Sequence, residues 1–163
     1  MSELNPYAKY LDGRPIEAIL ASTPVRLAAL LAALGPQKAA ASPAPGKWSP
    51  AEILAHLADC ELAFGFRLRQ TLAEDNHVVQ PFDQDKWAAP YPAIPADQAL
   101  AAFTAFRDWN RLLLAAALPE AANRRVSHPE RGAMTFLTIV ETMAGHDLNH
   151  IAQLEKIAAP AAG

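Results

Sequence analysis

Met143-Ala-Gly-His-Asp-Leu-Asn-His-Ile-Ala-Gln-Leu154 is the stretch on which the reading of this chain turns. Phe136, Ile139, Met143, Leu154 and Ile157 recur around it as the apolar stripe of a helix, and His146 and His150 continue that stripe at spacings of three and four. Two imidazoles thus stand where the pattern calls for Leu or Ile. Residues four apart share a helix face, so both rings can turn toward one point in a core. A buried ring nitrogen costs free energy unless it is bonded. A metal ion would bond it, and so would a hydrogen-bonded network.

Working outward, Thr135 reads as the N-cap of this last helix, with Met134 and Ile139 placed as a hydrophobic staple, and Pro160 lies just past its end. The strongest start signal belongs to a second helix. Ser49 is its N-cap, Pro50 its first residue, and Glu52 the carboxylate of a capping box. Its stripe is Ile53, Leu57, Cys60, Phe64, Leu68 and Leu72, and His56 falls between Ile53 and Cys60, pointing inward. A third helix begins near Pro95, buries Leu100, Phe103, Phe106, Leu113 and Leu114, and ends at Pro119. The first helical region reads as a short piece from Pro15 to about Ser22, restarting at Thr23-Pro24 and stopping at Gly35-Pro36, with Leu27, Leu30, Leu31 and Leu34 inside. Residues 1–14, 36–47 and the segment around Ser127-His-Pro-Glu-Arg-Gly132 read as loops.

Residues 76–94 carry no helical period, and Pro81, Pro90 and Pro92 forbid one. The connection far exceeds the roughly 2–8 residues usual between bundle helices. Fully extended it reaches about 60 Å, against about 35 Å for the last helix. The chain can therefore return along the bundle. The expected fold is an all-α four-helix bundle, up-down-down-up, with a crossover between helices two and three, forming one domain over residues 1–163.

The bulk properties set limits. With 163 residues, 52% of them hydrophobic, one domain with a real core is within reach. A net charge of −3 argues against a dedicated nucleic-acid binder. Cys60 is the only cysteine, which excludes a disulfide framework and a cysteine-based zinc site. No signal peptide is legible at the N-terminus, and no run reads as a membrane span. A cytoplasmic protein is the expectation.

His56, His146 and His150 from two helices would make an open metal site. Zinc would use three nitrogens and keep a fourth position for water or substrate, and nickel or iron would accept the same ligands. Gln153, one turn after His150, could bond a ligand ring; Asp59 is open between that role and solvent. Asp147 and Asn149 read as surface residues, as do His77 and His128. Arg107 interrupts the third helix's stripe at the level of the histidines, either to bind an anionic substrate group or to reach water with its head. Arg107 and Gln153 are accordingly the catalytic candidates. Trp48, Phe82 and Trp87 are expected to cover the open end of the bundle, and Cys60 to be a small buried hydrophobe.

Four segments together resemble the DinB-like superfamily, which includes bacillithiol- and mycothiol-dependent transferases and isomerases. They are Lys47-Trp-Ser-Pro-Ala-Glu-Ile-Leu-Ala-His-Leu-Ala-Asp59, Phe82-Asp-Gln-Asp-Lys-Trp-Ala88, His128-Pro-Glu-Arg-Gly132 and His146-Asp-Leu-Asn-His-Ile-Ala-Gln153, and the similarity runs from about Pro15 to Ile157. The resemblance implies an up-down-down-up bundle with a three-His site for nickel, zinc or a similar divalent ion. Carried over, the ligands are His56, His146 and His150. The expected activity is a metal-dependent enzyme acting on a small molecule, either a transferase using a low-molecular-weight thiol or a hydrolase. The alternative is a non-catalytic, metal-stabilised helical binding module. Trp109, Leu112 and Leu148 fall off the stripes and would face water, so a homodimer is expected.

Overall fold

In the computed structural model, which describes residues 4–159, four long helices form the bundle: α1 (Ile16–Ala40), α2 (Pro50–Ala73), α4 (Ala96–Ala117) and α5 (Phe136–Ala158). A one-turn helix α3 (Gln84–Trp87) lies in the crossover, and an antiparallel hairpin, β1 (Arg125–His128) with β2 (Gly132–Thr135), precedes α5. Pro160, Met1, Ser2 and Glu3 lie outside the described residues.

Cross-contacts fix the directions. Glu61 of α2 meets Arg107 of α4, and Arg69 meets Asn110 further along both, so these helices run parallel. Leu20 meets Arg107 while Glu17 meets Arg111, which sets α1 antiparallel to α4. Arg107 joins Leu20 to Asp147 at one level and Arg26 meets Glu155 beyond it, so α1 and α5 are parallel. The topology is up-down-down-up.

Both expected caps form. Ser49 Oγ accepts from the Glu52 amide, whose carboxylate accepts the Ser49 N–H at 2.7 Å. Thr135 makes the same box with Thr138, hydroxyl replacing carboxylate.

The expected restart at Thr23-Pro24 does not occur, and α1 runs through it. Pro24 supplies no N–H to the Leu20 carbonyl. The buried Arg107 guanidinium bonds that carbonyl instead, at 3.1 Å, which satisfies the acceptor that the proline leaves open. Gly35, at φ 69°, kinks the helix where a stop was expected, and Pro36 to Ala40 add one more turn. The 18-residue apolar window inside α1 is long and apolar enough to cross a membrane by length and composition alone, against the sequence expectation. Here it serves as a bundle wall, with Ile19, Leu20, Thr23, Leu27, Leu34 and Ala39 turned inward.

The hairpin corrects the loop expected around Ser127–Gly132. Gly132 at φ 86° lets the chain reverse, and Val126 and Met134, paired across the strands, are buried under α5. The crossover clips onto the hairpin: the Val79 amide donates to Ser127 O and the Ser127 amide to His77 O.

Two apolar clusters fill the bundle, one around Leu68, Leu114, Phe136 and Met143, the other around Leu27, Ile53, Phe103 and Leu154. Phe106, expected inside, is exposed, because Arg107 and Asn110 occupy the inward line of α4 with Ala99, Phe103 and Leu114. Leu148, expected in water, is buried. Residues 4–14 are a structured cap rather than a loop tail. Tyr7 and the turn Ala8–Tyr10 lie on α5, where a Cβ on Gly145 would come within 2.7 Å of both the Tyr7 carbonyl oxygen and its Cβ. Gly145→Ala should therefore lower the melting temperature although Ala is the better helix former by about 1 kcal/mol. Limited proteolysis should show earlier cleavage before residue 15; unchanged cleavage would mean that the cap is not seated on Gly145.

Candidate metal centre

His56 is one turn and a half into α2, and the capping box at Ser49 fixes where that helix starts. His146 and His150 sit on the face of α5 that looks at it. All three are buried. Nε2 of His146 is 3.1 Å from Nε2 of His56 and 3.1 Å from Nε2 of His150. One donor nitrogen from each of the three lies within 4.8 Å of the others. Among the described residues no Asp, Glu or Cys joins this group as a fourth member.

Proton bookkeeping tests whether the group holds itself together or awaits a cation. The Gln153 carbonyl oxygen is 3.0 Å from His150 Nδ1, and an acceptor there draws the ring proton to Nδ1, leaving a lone pair at Nε2. If His146 Nε2 carries a proton, it serves His150 fully and can only share with His56. If it does not, two lone pairs face each other at 3.1 Å. No arrangement of tautomers satisfies both contacts. A divalent ion does, because nitrogens at about 2.0–2.1 Å from a tetrahedral ion lie about 3.3–3.4 Å apart, close to the spacing seen here. The residues fit a metal.

Their protonation agrees. Burial, and then the neighbouring His150, pull His56 down to about 3. Burial holds His146 well below the ordinary histidine value, with His150 and His56 adding to the effect. Burial lowers His150 too, against the opposing bond to Gln153. All three are therefore neutral at pH 7, the form that donates a lone pair to a metal.

The surroundings orient the rings. Cys60 Sγ lies 3.4 Å from His56 Nε2, and burial raises its thiol pKa, which makes it a poor nucleophile. Trp48 packs on His56 with ring centres 4.9 Å apart, and Tyr7 meets His146 edge-on at 5.2 Å. Asp59 accepts the Tyr91 hydroxyl at 2.7 Å, which pins the Tyr91 turn beneath Trp48 and leaves Asp59 away from the imidazoles' own bonds. Phe82 stacks on Trp87 and borders the cavity above the histidines. That cavity, about 200 Å³, is also lined by Arg67, His128 and Arg131. A larger cavity of about 800 Å³ lies between α1 and the turn before α4; its lining is mostly Ala, Leu and Pro, and of its polar members Glu52 is taken by the Ser49 cap and the Tyr91 hydroxyl by Asp59.

Two surface expectations and one catalytic expectation are corrected. Asp147 is buried, bonded to Arg107 at 2.7 and 3.1 Å. His128 is buried and accepts the Glu130 amide, closing the hairpin turn beside the cavity. His77 remains a peripheral residue paired with Glu74. Arg107 is at the predicted level but reaches neither water nor the cavity, since Glu61, Asp147 and Leu20 O take its guanidinium. Gln153, the other catalytic candidate, bonds the His150 ring and does not line the cavity above the histidines. Gln153→Leu should weaken metal affinity about 10–100-fold, measured by competition with a chromophoric chelator, and Gln153→Glu should restore it. Equal affinity in Gln153→Leu would detach Gln153 from the site.

Sequence reading missed Tyr7, Glu61, Asn110, Arg67 and Arg131. Gly65 was a usable signal for Asn110, because a glycine inside a helix marks close approach, and a Cβ there would meet the Asn110 amide at 2.5 Å.

Comparison with known proteins agrees with this geometry. A protein of Oceanobacillus iheyensis provisionally named a metal-dependent hydrolase is 27% identical over 113 residues, covering 69% of this chain and 66% of that protein. A Bacillus cereus protein with the same provisional name is 25% identical over 114 residues, covering 69% and 65%. The match thus spans just under two thirds of the length of these relatives. The structure of YfiT from Bacillus subtilis, described as a probable metal-dependent hydrolase with an unusual four-helix bundle topology, superposes with a TM-score of 0.80 at 19% identity, covering 87% of this chain and 83% of that one, and this shows the shared fold. Residues 19–154 match the DinB superfamily, and the chain belongs to it.

Proposed function

We propose that the protein is a metal-dependent hydrolase of a small molecule, with His56, His146 and His150 as ligands of one divalent ion, nickel or zinc before iron. The observation that carries this is the convergence of three neutral imidazoles, with no fourth protein ligand among the described residues, at a cavity lined by two of them, His56 and His146. The relatives named for metal-dependent hydrolysis support it. A divalent ion bound there would supply Lewis acidity to a carbonyl and to water. The chain's residues do the rest. Gln153 fixes the His150 tautomer, Trp48 and Tyr7 shield the rings, and the cavity admits a substrate beside them. Zinc- or nickel-loaded protein should hydrolyse members of an ester and amide panel, and chelation should abolish it. Transfer to a low-molecular-weight thiol, the second activity the superfamily resemblance suggests, would show in the same assay as turnover that needs added thiol. A binding module would show neither, and that outcome would overturn the enzyme reading.

A homodimer is the assembly we propose. Leu148 no longer contributes, but Trp109 and Leu112 stay 63% and 65% exposed three residues apart on α4. Light scattering should give twice the monomer mass, and Trp109→Lys with Leu112→Lys should halve it. A monomer at high micromolar concentration would refute this.

A further inference from the structure

We propose that the cavity above the histidines selects small carboxylates, with Arg67 and Arg131 holding the anionic group while the reacting group faces His56 and His146. The inference rests on the metal-centred reading above and adds the class of substrate.

Arg67 lies on the same face of α2 as His56, Cys60 and Phe64, and side chains on a helix lean toward its N-terminus, here back toward His56. Its guanidinium donates once, to Gln80 O at 3.2 Å, and rests near the rings of Phe64 and Phe82. Arg131 enters from the hairpin turn. Among the described residues neither arginine has a carboxylate within 4 Å; Arg26, Arg107, Arg111 and Arg124 each have one, and Arg14, Arg69 and Arg125, which also have none, do not line the cavity. Glu130 also borders the cavity but is exposed and pairs with neither. Burial draws Arg67 below the ordinary arginine value; Cys60 opposes this, and the Arg131 charge adds a smaller downward pull.

Two half-buried cations sharing one small cavity repel unless an anion joins them. The floor adds to the imbalance, since a divalent ion on three neutral imidazoles keeps its full charge. A planar carboxylate matches the guanidinium fork and would offset part of this charge. About 200 Å³, the share of six or seven waters in the liquid, limits the partner to a small molecule.

Zinc-loaded protein would be titrated by calorimetry with mercaptoacetate, 3-mercaptopropionate and 4-mercaptobutyrate and with their neutral amides, the thiol reaching the metal and the chain length sampling the distance to the arginines. One carboxylate should bind about tenfold or more tighter than its amide. Arg67→Gln and Arg131→Gln should each cut that preference below about threefold, with metal content and amide affinity unchanged, and Arg67→Lys should keep part of it. Equal binding of acid and amide at every length, or a preference that survives both Gln variants, overturns the proposal. A second arm needs no metal. In 15N-labelled metal-free protein, propionate should shift the Nε–H signals of Arg67 and Arg131, assigned with the same variants, and propionamide should not. Absence of that shift also overturns the proposal. The shift in a protein that takes up no zinc or nickel would leave the carboxylate site standing and refute the metal-centred reading.

Discussion

Arg107→Met should destabilise the protein by about 3–5 kcal/mol, a fall in melting temperature on the order of 10 °C. The guanidinium is fully buried and every one of its five N–H groups is used: Nε and Nη2 on Glu61, Nη1 and Nη2 on Asp147, and Nη1 on Leu20 O, at 2.7–3.1 Å. Burial alone would lower its pKa, but Asp147 and Glu61 reverse that and raise it, so the charge is permanent. Glu61 takes a further bond from the Asn110 amide. Removing the cation leaves two carboxylates in the core with no counter-charge and reopens the Leu20 carbonyl that Pro24 cannot serve. One side chain on α4 thus ties α2, α5 and α1 at a single level, and the turn it grips through Asp147 is the turn that carries His146. Arg107→Lys should recover little, since three donors on a flexible stem cannot replace a five-donor fork. The discriminating variant combines Arg107→Met with Glu61→Leu and Asp147→Leu. Apolar replacement of the whole cluster should restore most of the loss, and adding Pro24→Ala should restore more by giving Leu20 O a helical N–H. A melting temperature within 3 °C of wild type for Arg107→Met alone would contradict the role assigned to the cluster.

That cluster also marks where the sequence could be read and where it could not. The metal face was legible because His56, His146 and His150 each replace an apolar residue on a single stripe. Helix starts at Ser49 and Thr135 were legible because capping is local chemistry. Asp147 and Glu61 escape a reading that gives each helix a single apolar stripe. The two helices that carry the histidines are buried on a second face as well: Val140, Ala144, Asp147 and Ile151 on α5, and Leu54, Ala58, Glu61 and Gly65 on α2, again at spacings of three and four. A charged residue on that second face looks like a surface residue until its partner on another helix is known. Arg107 was placed at the right depth, but its partners are 40 and 46 residues away in the chain, and no local pattern links them. Pro24 misled for the same reason, since the donor that rescues its turn comes from 87 residues away. The hairpin escaped notice because four-residue strands beside His-Pro-Glu-Arg-Gly carry too little period to separate from a loop.

Replacing His146 by Leu should have opposite effects with and without metal. His146 is the central ring, 3.1 Å from both partners, so its loss leaves two ligands on different helices. Zinc or nickel content should fall from one ion per chain to near zero, and hydrolysis to the uncatalysed rate. Stability separates a metal centre from a structural network. In excess chelator the wild type keeps three buried imidazoles whose contacts no tautomer satisfies together, and an apolar side chain of similar volume removes one of them. The variant should then be as stable as the wild type or more so, because replacing an unsatisfied buried polar group by a well-packed apolar one is neutral or favourable. With free metal at 100 times its dissociation constant, the wild type should gain about 2.7 kcal/mol and the variant nothing. If the three rings were instead a self-sufficient hydrogen-bonded core, the order would invert. His146→Leu would then cost about 1–3 kcal/mol in chelator by leaving its partners unbonded, and added metal would not raise the melting temperature of the wild type. Thermal melts of two proteins, each with and without metal, therefore decide whether these histidines hold the bundle together or hold an ion.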